Sequence, residues 1–425
     1  MPEKRTIIIA DDLTGANDTA IQFVKKGFSA LVAPQAQFSD SAAYAGYDII
    51  SINSDSRGMD SAEAYHAVRN LLARLQAAKL GGIFYKKIDS VLRGNPGPEL
   101  AAVMDELGIS LAVAAPSFPA NRSVVEQGLL KSGHDFSRTE VDAVKIFADS
   151  INRKTETIPL ELIRQGHLAA ARYVMSHHES GTQVFVADAV DEHDLAVVCR
   201  MSSAIENPLV LAGSAALAEQ IAQNMAHNEK RIGKPARHFG AYAPVLVIAG
   251  TRQGETAAQI GSLSRALSAP VIRFKVGLVG QGKSKEAISR AYTEAAAKMK
   301  ENSALCIVAV ESMFRSEIPE GSVRRNRADS DAESGAISEA LGILTGKLMD
   351  AFQFPVLISS GGDTSLEICK RLNTAGIQPL AEICPGIPIG RIAGGPCEGR
   401  YIITKSGRFG NQDTLVEIIN FLGAA

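Results

Sequence analysis

The sequence predicts an α/β protein of two domains, each a mainly parallel β-sheet flanked by helices. Three observations carry that expectation. The chain has 425 residues, more than one ordinary core accommodates. Short β-branched apolar runs alternate with stretches of helical spacing, the order that builds parallel sheets covered on both faces. A polar segment with Gly and Pro and no helical period, residues 228–243 (NEKRIGKPARHFGAYA), interrupts the alternation near the middle.

The elements follow in order. Thr6–Ala10 (TIIIA) reads as a strand apolar on both faces. Thr14–Lys26 has helical spacing, with Ala16, Ala20, Phe23 and Val24 on one side and Gly27 at its end. Strands follow at Ser29–Ala33 and Tyr47–Ser51, a helix at Ser61–Ala78, and strands at Ile83–Lys87 and Leu111–Ala115. After the break, strands are expected at Pro244–Ala249, Val271–Val276, Ala304–Val310, Val356–Ser359 and Tyr401–Thr404. Helices are expected at Lys285–Lys300, Ala336–Phe352, Leu366–Leu372 and Thr414–Leu422, with a charged loop at Arg315–Ser334.

Composition narrows the function. Hydrophobic residues make up 46% and charged residues 21%, the mix of a globular chain and not of a disordered one. The net charge of -2 lacks the basic excess of a dedicated nucleic-acid binder. The five Cys are widely spaced, without C-x-x-C, which argues against a disulfide framework or structural zinc and for a reducing compartment. The start MPEKRTIIIADD is too short in apolar residues for a signal peptide, and no apolar run spans a bilayer, so the cytoplasm is expected. Oligomeric state stays open, with sheet-edge pairing a route to a homodimer.

Three polar clusters sit at strand ends in the first half, where open α/β sheets gather ligands. Asp11 and Asp12 close the first strand and Thr14, Asn17 and Asp18 crowd the next helix. Adjacent carboxylates on a strand point to different faces, so one of the pair is expected in the cleft; helix capping by Asp12 or Thr14 is the plain alternative. Asn53, Asp55, Ser56, Arg57 and Gly58 form the second cluster, with an Asp55–Arg57 loop pair as its plain alternative. Lys86, Lys87, Asp89, Ser90, Arg93 and Gly94 form the third. On a strand Lys86 and Lys87 face opposite sides, so one of them is structural. Cations to hold a carboxylate and Asp to take a hydroxyl proton suit a small hydroxylated acid.

Glycines mark the second half. Ser359-Ser360-Gly361-Gly362-Asp363-Thr364 is a turn between a strand and a helix, where glycines let the backbone approach an anion and the helix start supplies free N–H groups. Lys405-Ser406-Gly407-Arg408-Phe409-Gly410-Asn411 repeats the pattern, and two such turns on neighbouring strands could cradle one polyphosphate. Gly277-Leu278-Val279-Gly280-Gln281-Gly282-Lys283-Ser284 is a formal Walker A match. G-x-S-x-G is absent, the histidines lack metal spacing, and no G-x-G-x-x-G follows the first strand, against a nicotinamide enzyme.

The runs Ala10-Asp11-Asp12-Leu13-Thr14-Gly15-Ala16-Asn17-Asp18, Lys86–Asn95 (KKIDSVLRGN), Ser360–Thr364 (SGGDT), Pro385–Pro388 (PGIP) and Thr404–Gly407 (TKSG) together resemble the four-carbon acid sugar kinase family, in order and spacing, over nearly the whole chain. The resemblance implies a sugar-acid-binding domain over 1–230, a linker over 231–244, a nucleotide-binding domain over 245–425 and an active site in the cleft between the domains. It implies transfer of the ATP γ-phosphoryl, with Mg²⁺, to the terminal (4-) hydroxyl of D-threonate, D-erythronate or 3-dehydrotetronate, leaning to the D-threonate branch. Carried over, Asp12, Arg57, Lys86, Lys87, Asp89, Ser90 and Arg93 would contact the sugar acid, with Asp12 or Asp89 catalytic. Gly361, Gly362, Asp363, Thr364 and Gly407 would contact ATP. The family's Ser-rich turn reads Gly250-Thr251-Arg252-Gln253 here, a departure that leaves Thr251 and Gln253 as its nucleotide positions. Arg408 stands where a small residue is commoner, and the 277–284 loop is outside the family pattern. The rival readings are a P-loop enzyme using Lys283 and a non-catalytic sensor of a small acid and a nucleotide.

Overall fold

A computed structural model describes residues 5–34, 44, 46–133, 139–230, 243–301, 304–314 and 327–423. The chain divides into two compact units, Met1–Lys234 and Pro235–Ala425. The expected linker, 231–244, falls outside the described residues except for its last two.

The strands of the first unit are β1 (Thr6–Ala10), β2 (Ala30–Ala33), β3 (Ile49–Asn53), β4 (Ile83–Lys87), β5 (Leu111–Ala115), β6 (Ser123–Glu126), β7 (Leu129–Ser132), β8 (Thr139–Asp142), β9 (Thr155–Ile158), β10 (Val184–Ala187) and β11 (Leu209–Gly213). Its helices are α1 (Leu13–Lys25), α2 (Ser61–Ala77), α3 (Pro96–Leu107), α4 (Ala143–Ile151), α5 (Leu160–Arg164), α6 (His167–Glu179), α7 (Glu192–Ala204) and α8 (Ala215–Glu229). The main sheet runs β2-β3-β1-β4-β11-β5-β10-β9, every pair parallel. β1 is central, so Ile7, Ile8 and Ile9 are fully buried and each contributes about 1.5–3 kcal/mol of apolar burial. A small antiparallel sheet, β6-β7-β8, follows β5.

The second unit contains β12 (Val245–Ala249), α9 (Gly254–Ala266), β13 (Val271–Phe274), α10 (Val276–Gly280), α11 (Ser284–Lys300), β14 (Leu305–Val310), α12 (Arg327–Phe352), β15 (Val356–Ser360), α13 (Gly362–Arg371), β16 (Gly376–Cys384), β17 (Ile387–Ala393), β18 (Tyr401–Lys405) and α14 (Thr414–Phe421). Its order is β13-β14-β12-β15-β18-β17-β16. The first five are parallel; β17 and β16 add an antiparallel hairpin. Each sheet is therefore mainly parallel with helices around it.

Three expectations change. The loop expected at Arg315–Ser334 is helical from Arg327, the start of α12, while 315–326 fall outside the described residues. Asn53 closes β3 instead of following it, because the strand starts and ends two residues later than expected. Within the PGIP run, Pro385 and Gly386 form the turn of the β16–β17 hairpin, and Ile387 and Pro388 open β17. The Walker-like run is half helix: Val276–Gly280 forms α10. Its amides are spent inside the turn, Leu278 N–H on the Lys275 carbonyl, Gln281 and Lys283 on Leu278, and Gly282 on Val279. A phosphate loop needs those N–H groups turned outward toward one point, so this segment lacks the geometry. All five cysteines are free thiols. Among the described residues no helix is long and apolar enough to cross a membrane.

Candidate active site

Register sets the first cluster. Ala10 of β1 pairs with Asn53 of β3 and with Lys87 of β4, so the three strands end level and their following loops emerge side by side. Asp11 leaves β1 and Asp12 caps α1, its Oδ1 accepting the Gly15 N–H at 2.7 Å. Arg57, in the loop after β3, reaches both. Its Nε and Nη2 donate to Asp11 at 2.7 and 2.9 Å, and its Nη1 donates to Asp12 Oδ2 at 2.5 Å. Asp89, after β4, lies 3.5 Å from the same guanidinium. The expectation that one of the adjacent aspartates faces away is therefore corrected. The strand ends at Ala10, so the period-2 rule no longer applies at Asp11 and Asp12. The capping alternative and the cluster are also compatible, since Asp12 uses one oxygen for each.

The three carboxylates differ. Burial works to raise Asp11, but Arg57, with Lys86 and Lys87 beyond it, holds this carboxyl below the usual range. At Asp12 burial wins: Arg57 opposes it, the Asp11 charge reinforces it, and the carboxyl is raised. Burial also works to raise Asp89, yet hydrogen bonds from Arg93 and the charges of Arg57, Arg93 and Lys87 drive it well down. Asp89 accepts from the Val91 and Arg93 amides and from the Arg93 side chain, at 2.6–3.3 Å, so it organises the 89–93 loop. Arg93 keeps half its side chain, 49%, exposed. Asp12 and Arg57 are 20% and 26% exposed.

Lys86 and Lys87 part as strand alternation requires. Lys87 is directed toward α1: its Nζ donates to the Ile88 carbonyl at 2.8 Å and lies near Gly15. Lys86 is fully buried on the opposite face, ion-paired to Glu99 of α3 at 2.7 Å and donating to the carbonyls of Lys87 and Ile9. All three of its donors are spent inside the protein. Substrate contact by Lys86 is thus at odds with its position; it is the structural member of the pair. Ser90 is half-buried, and its carbonyl receives the Ser123 hydroxyl from β6. Glu99, which sequence reasoning missed, also accepts from Ser56 at 2.7 Å and so ties α3 to the Arg57 loop. Burial raises its carboxyl more than Lys86 lowers it. The helix it stands on was not anticipated, so no sequence signal separated it from an exposed glutamate.

The second unit repeats the device. Ala249 pairs with Ser360 and Ser360 with Lys405, so β12, β15 and β18 also end level. The loops after them meet. Gly407 lies so close to Thr251 that a Cβ at 407 would sit 2.4 Å from the Thr251 hydroxyl, and 2.8 Å from Gln253. Gly361 has φ +113, open to glycine, and its Cα lies beside Thr251. Helices α9 and α13 both begin with no side-chain cap, leaving first-turn N–H groups at this junction. Gly362 and exposed Asp363 stand in the first turn of α13. The Thr364 side chain is buried against Gly250 and Ser338, so it offers its backbone. Arg408 donates to Gln253 Oε1 at 3.2 Å, bridging two of the loops. Sequence reasoning missed the layer beneath them, Thr256 and Gln259 of α9, and placed Lys405 in the glycine loop without its burial under it.

Each unit thus carries a cluster of polar loops at the carboxyl ends of its parallel strands. Residues 6–221 match the family model of a sugar-binding N-terminal domain, and residues 246–415 that of a nucleotide-binding C-terminal domain. The chain belongs to the four-carbon acid sugar kinase family and is a phosphotransferase. Among its relatives are a D-erythronate kinase of Heliobacterium modesticaldum, 28% identical over 98% of this chain and 96% of the relative. A D-threonate kinase of Bordetella bronchiseptica is 29% identical over 96% and 95%. A 3-oxo-tetronate kinase of Pseudomonas fluorescens is 27% identical over 95% and 94%. Identities this similar do not choose a branch. Crystal structures of a Salmonella typhimurium LT2 protein (TM-score 0.76, 22% identity, 97% of this chain and 98% of that one) and of a Haemophilus influenzae protein (0.71, 22%, 98% and 100%) share the fold.

Proposed function

We propose that this protein is an ATP-dependent kinase of the terminal hydroxyl of a four-carbon sugar acid, with D-threonate as the acceptor. The observation that supports it best is the carboxylate cluster on one guanidinium, in which Asp12 alone is raised while Asp11 and Asp89 are held ionised. Asp12 is the base for the attacking hydroxyl, since its raised carboxyl takes a proton more readily than either neighbour. Asp89, saturated with donors, positions Arg57 and Arg93. Lys87, Arg57 and the open edge of Arg93 hold the carboxylate of the acid, and Ser90 contacts its hydroxyls.

Gly362, Asp363, Thr364 and Gly407 hold the polyphosphate through backbone N–H groups, while Thr251, Gln253 and Gly361 shape the loops around it, the Gly361 N–H being spent on the Lys405 carbonyl and the Gln253 N–H on the Thr251 hydroxyl. Exposed Asp363 beside the glycine turn would be the carboxylate that holds Mg²⁺ at the phosphates. Bound there, Mg²⁺ would neutralise charge on the phosphates. Transfer requires the two sites to face one another across an inter-domain cleft that closes against water. The test is ADP release in a coupled assay over D-threonate, D-erythronate and 3-oxo-tetronate. Turnover confined to D-threonate supports the full reading. Turnover with another of the three revises the acceptor, and none with any four-carbon acid overturns the function.

A further inference from the structure

Lys405 closes β18 and is fully buried, yet it differs from the buried lysine of the first unit. Lys86 is neutralised by Glu99 at 2.7 Å. Among the described residues Lys405 has no ion pair. Its three donors go instead to the phosphate-side loop: the Ser406 carbonyl at 2.8 Å, the Phe409 carbonyl at 3.1 Å and the Thr256 hydroxyl at 3.2 Å. Thr256 passes the contact on, donating to the Gly407 carbonyl at 2.8 Å. Gln259 fastens the far side, its Nε2 on the Phe409 and Asn411 carbonyls at 3.0 and 2.8 Å. Every carbonyl drawn down by this layer leaves the loop's outer face to N–H groups. A buried ammonium with no counter-ion is costly, and an anion on the loop above it would offset that cost.

We propose that Lys405 is a positioning residue for the nucleotide phosphates: its unpaired buried ammonium shapes the 405–411 loop and is in turn stabilised by phosphate charge, so that nucleotide binding takes up a proton at alkaline pH. The proposal rests on the nucleotide assignment above. Burial pushes the Lys405 ammonium down to about 8, against the pull of Glu255 in the first turn of α9. The other charged or titratable groups on the elements around it are Arg265 on α9, Asp363, Glu367, Cys369, Lys370 and Arg371 on α13, Arg391 on β17, Tyr401 at the far end of β18, and Arg408 and Asp413 in the following segment. An anion raises the Lys405 value in the complex. Affinity is therefore full below about 8 and falls as pH rises through it.

The experiment is calorimetric titration of the full chain with MgADP at pH 6.5 and 8.5, each in two buffers of different ionisation enthalpy. Wild type is expected to take up about half a proton or more per nucleotide at the higher pH and almost none at the lower. Lys405→Met is expected to lose this uptake. It should raise KM for ATP on the order of tenfold while kcat stays within about threefold. Wild-type uptake needs no variant, so a Lys405→Met chain that fails to fold leaves the test standing. Binding without proton uptake at either pH overturns the proposal, as does a Lys405→Met chain with wild-type KM. No binding by wild type at all takes down the nucleotide assignment as well, which separates the two failures.

Discussion

Replacing Asp12 by Asn separates chemistry from structure at one atom. Asn keeps an oxygen for the Gly15 N–H, so the cap of α1 survives. Its amide then faces the Arg57 Nη1, a donor against a donor, and the 2.5 Å contact to that guanidinium is lost. Arg57 retains its two bonds to Asp11. With both partners a fifth to a quarter exposed, the loss is about 1–2 kcal/mol, or roughly 2–8 °C in the melting temperature of a unit this size. Loss of a general base costs far more, about 10²–10⁴ in kcat. The sign of the pH effect follows from the raised carboxyl. A base must be ionised, so kcat/KM falls with acid through a value above the ordinary aspartate range of about 3.9, and this limb vanishes in the variant. Coupled ADP release from pH 4.5 to 8, beside calorimetric melting, reads both. Wild-type turnover in Asp12→Asn removes Asp12 from the chemistry. A melting loss of tens of degrees makes the residue structural.

Further substitutions probe the supporting architecture. Glu99→Gln leaves Lys86 buried and unpaired and is expected to cost about 3–5 kcal/mol in denaturant unfolding, much of it recovered when Lys86→Met is added. Gly407→Ala drives a Cβ into the Thr251 hydroxyl and is expected to weaken MgADP binding by about 5- to 150-fold in direct titration, with the sugar-acid KM unchanged. Lys283→Ala should leave nucleotide affinity within about twofold of wild type, because the amides of its loop are consumed internally; a larger loss would restore the P-loop reading.

Much of the fold was legible because buried parallel strands must be apolar on both faces. Thr6–Ala10, Ile83–Lys87 and Leu111–Ala115 occupy their expected places to the residue. Some unanticipated elements lack that signature: β9 (TETI) lies at a sheet edge and is half-buried, and β6–β8 are short antiparallel strands on a small sheet; β10 (VFVA) and β11 (LVLAG) carry it and were passed over. The segment 116–227, which carries most of them, was not resolved into elements from sequence.

The site divides along the same line. The sequence by itself determined that Asp11, Asp12, Arg57 and Asp89 follow strands and that glycine turns follow others, because polar residues at the end of an apolar run have only the strand's carboxyl edge to occupy. It also determined that Lys86 and Lys87 part company, since side chains alternate along a strand. Only the tertiary structure decided which lysine meets Glu99 and that both aspartates share one guanidinium. It alone showed that a formal phosphate-loop pattern winds into a helix, and that Lys405 lies under a loop with no ion pair among the described residues. Those outcomes depend on strand order and register between segments far apart in the chain, which a local pattern of residues does not encode.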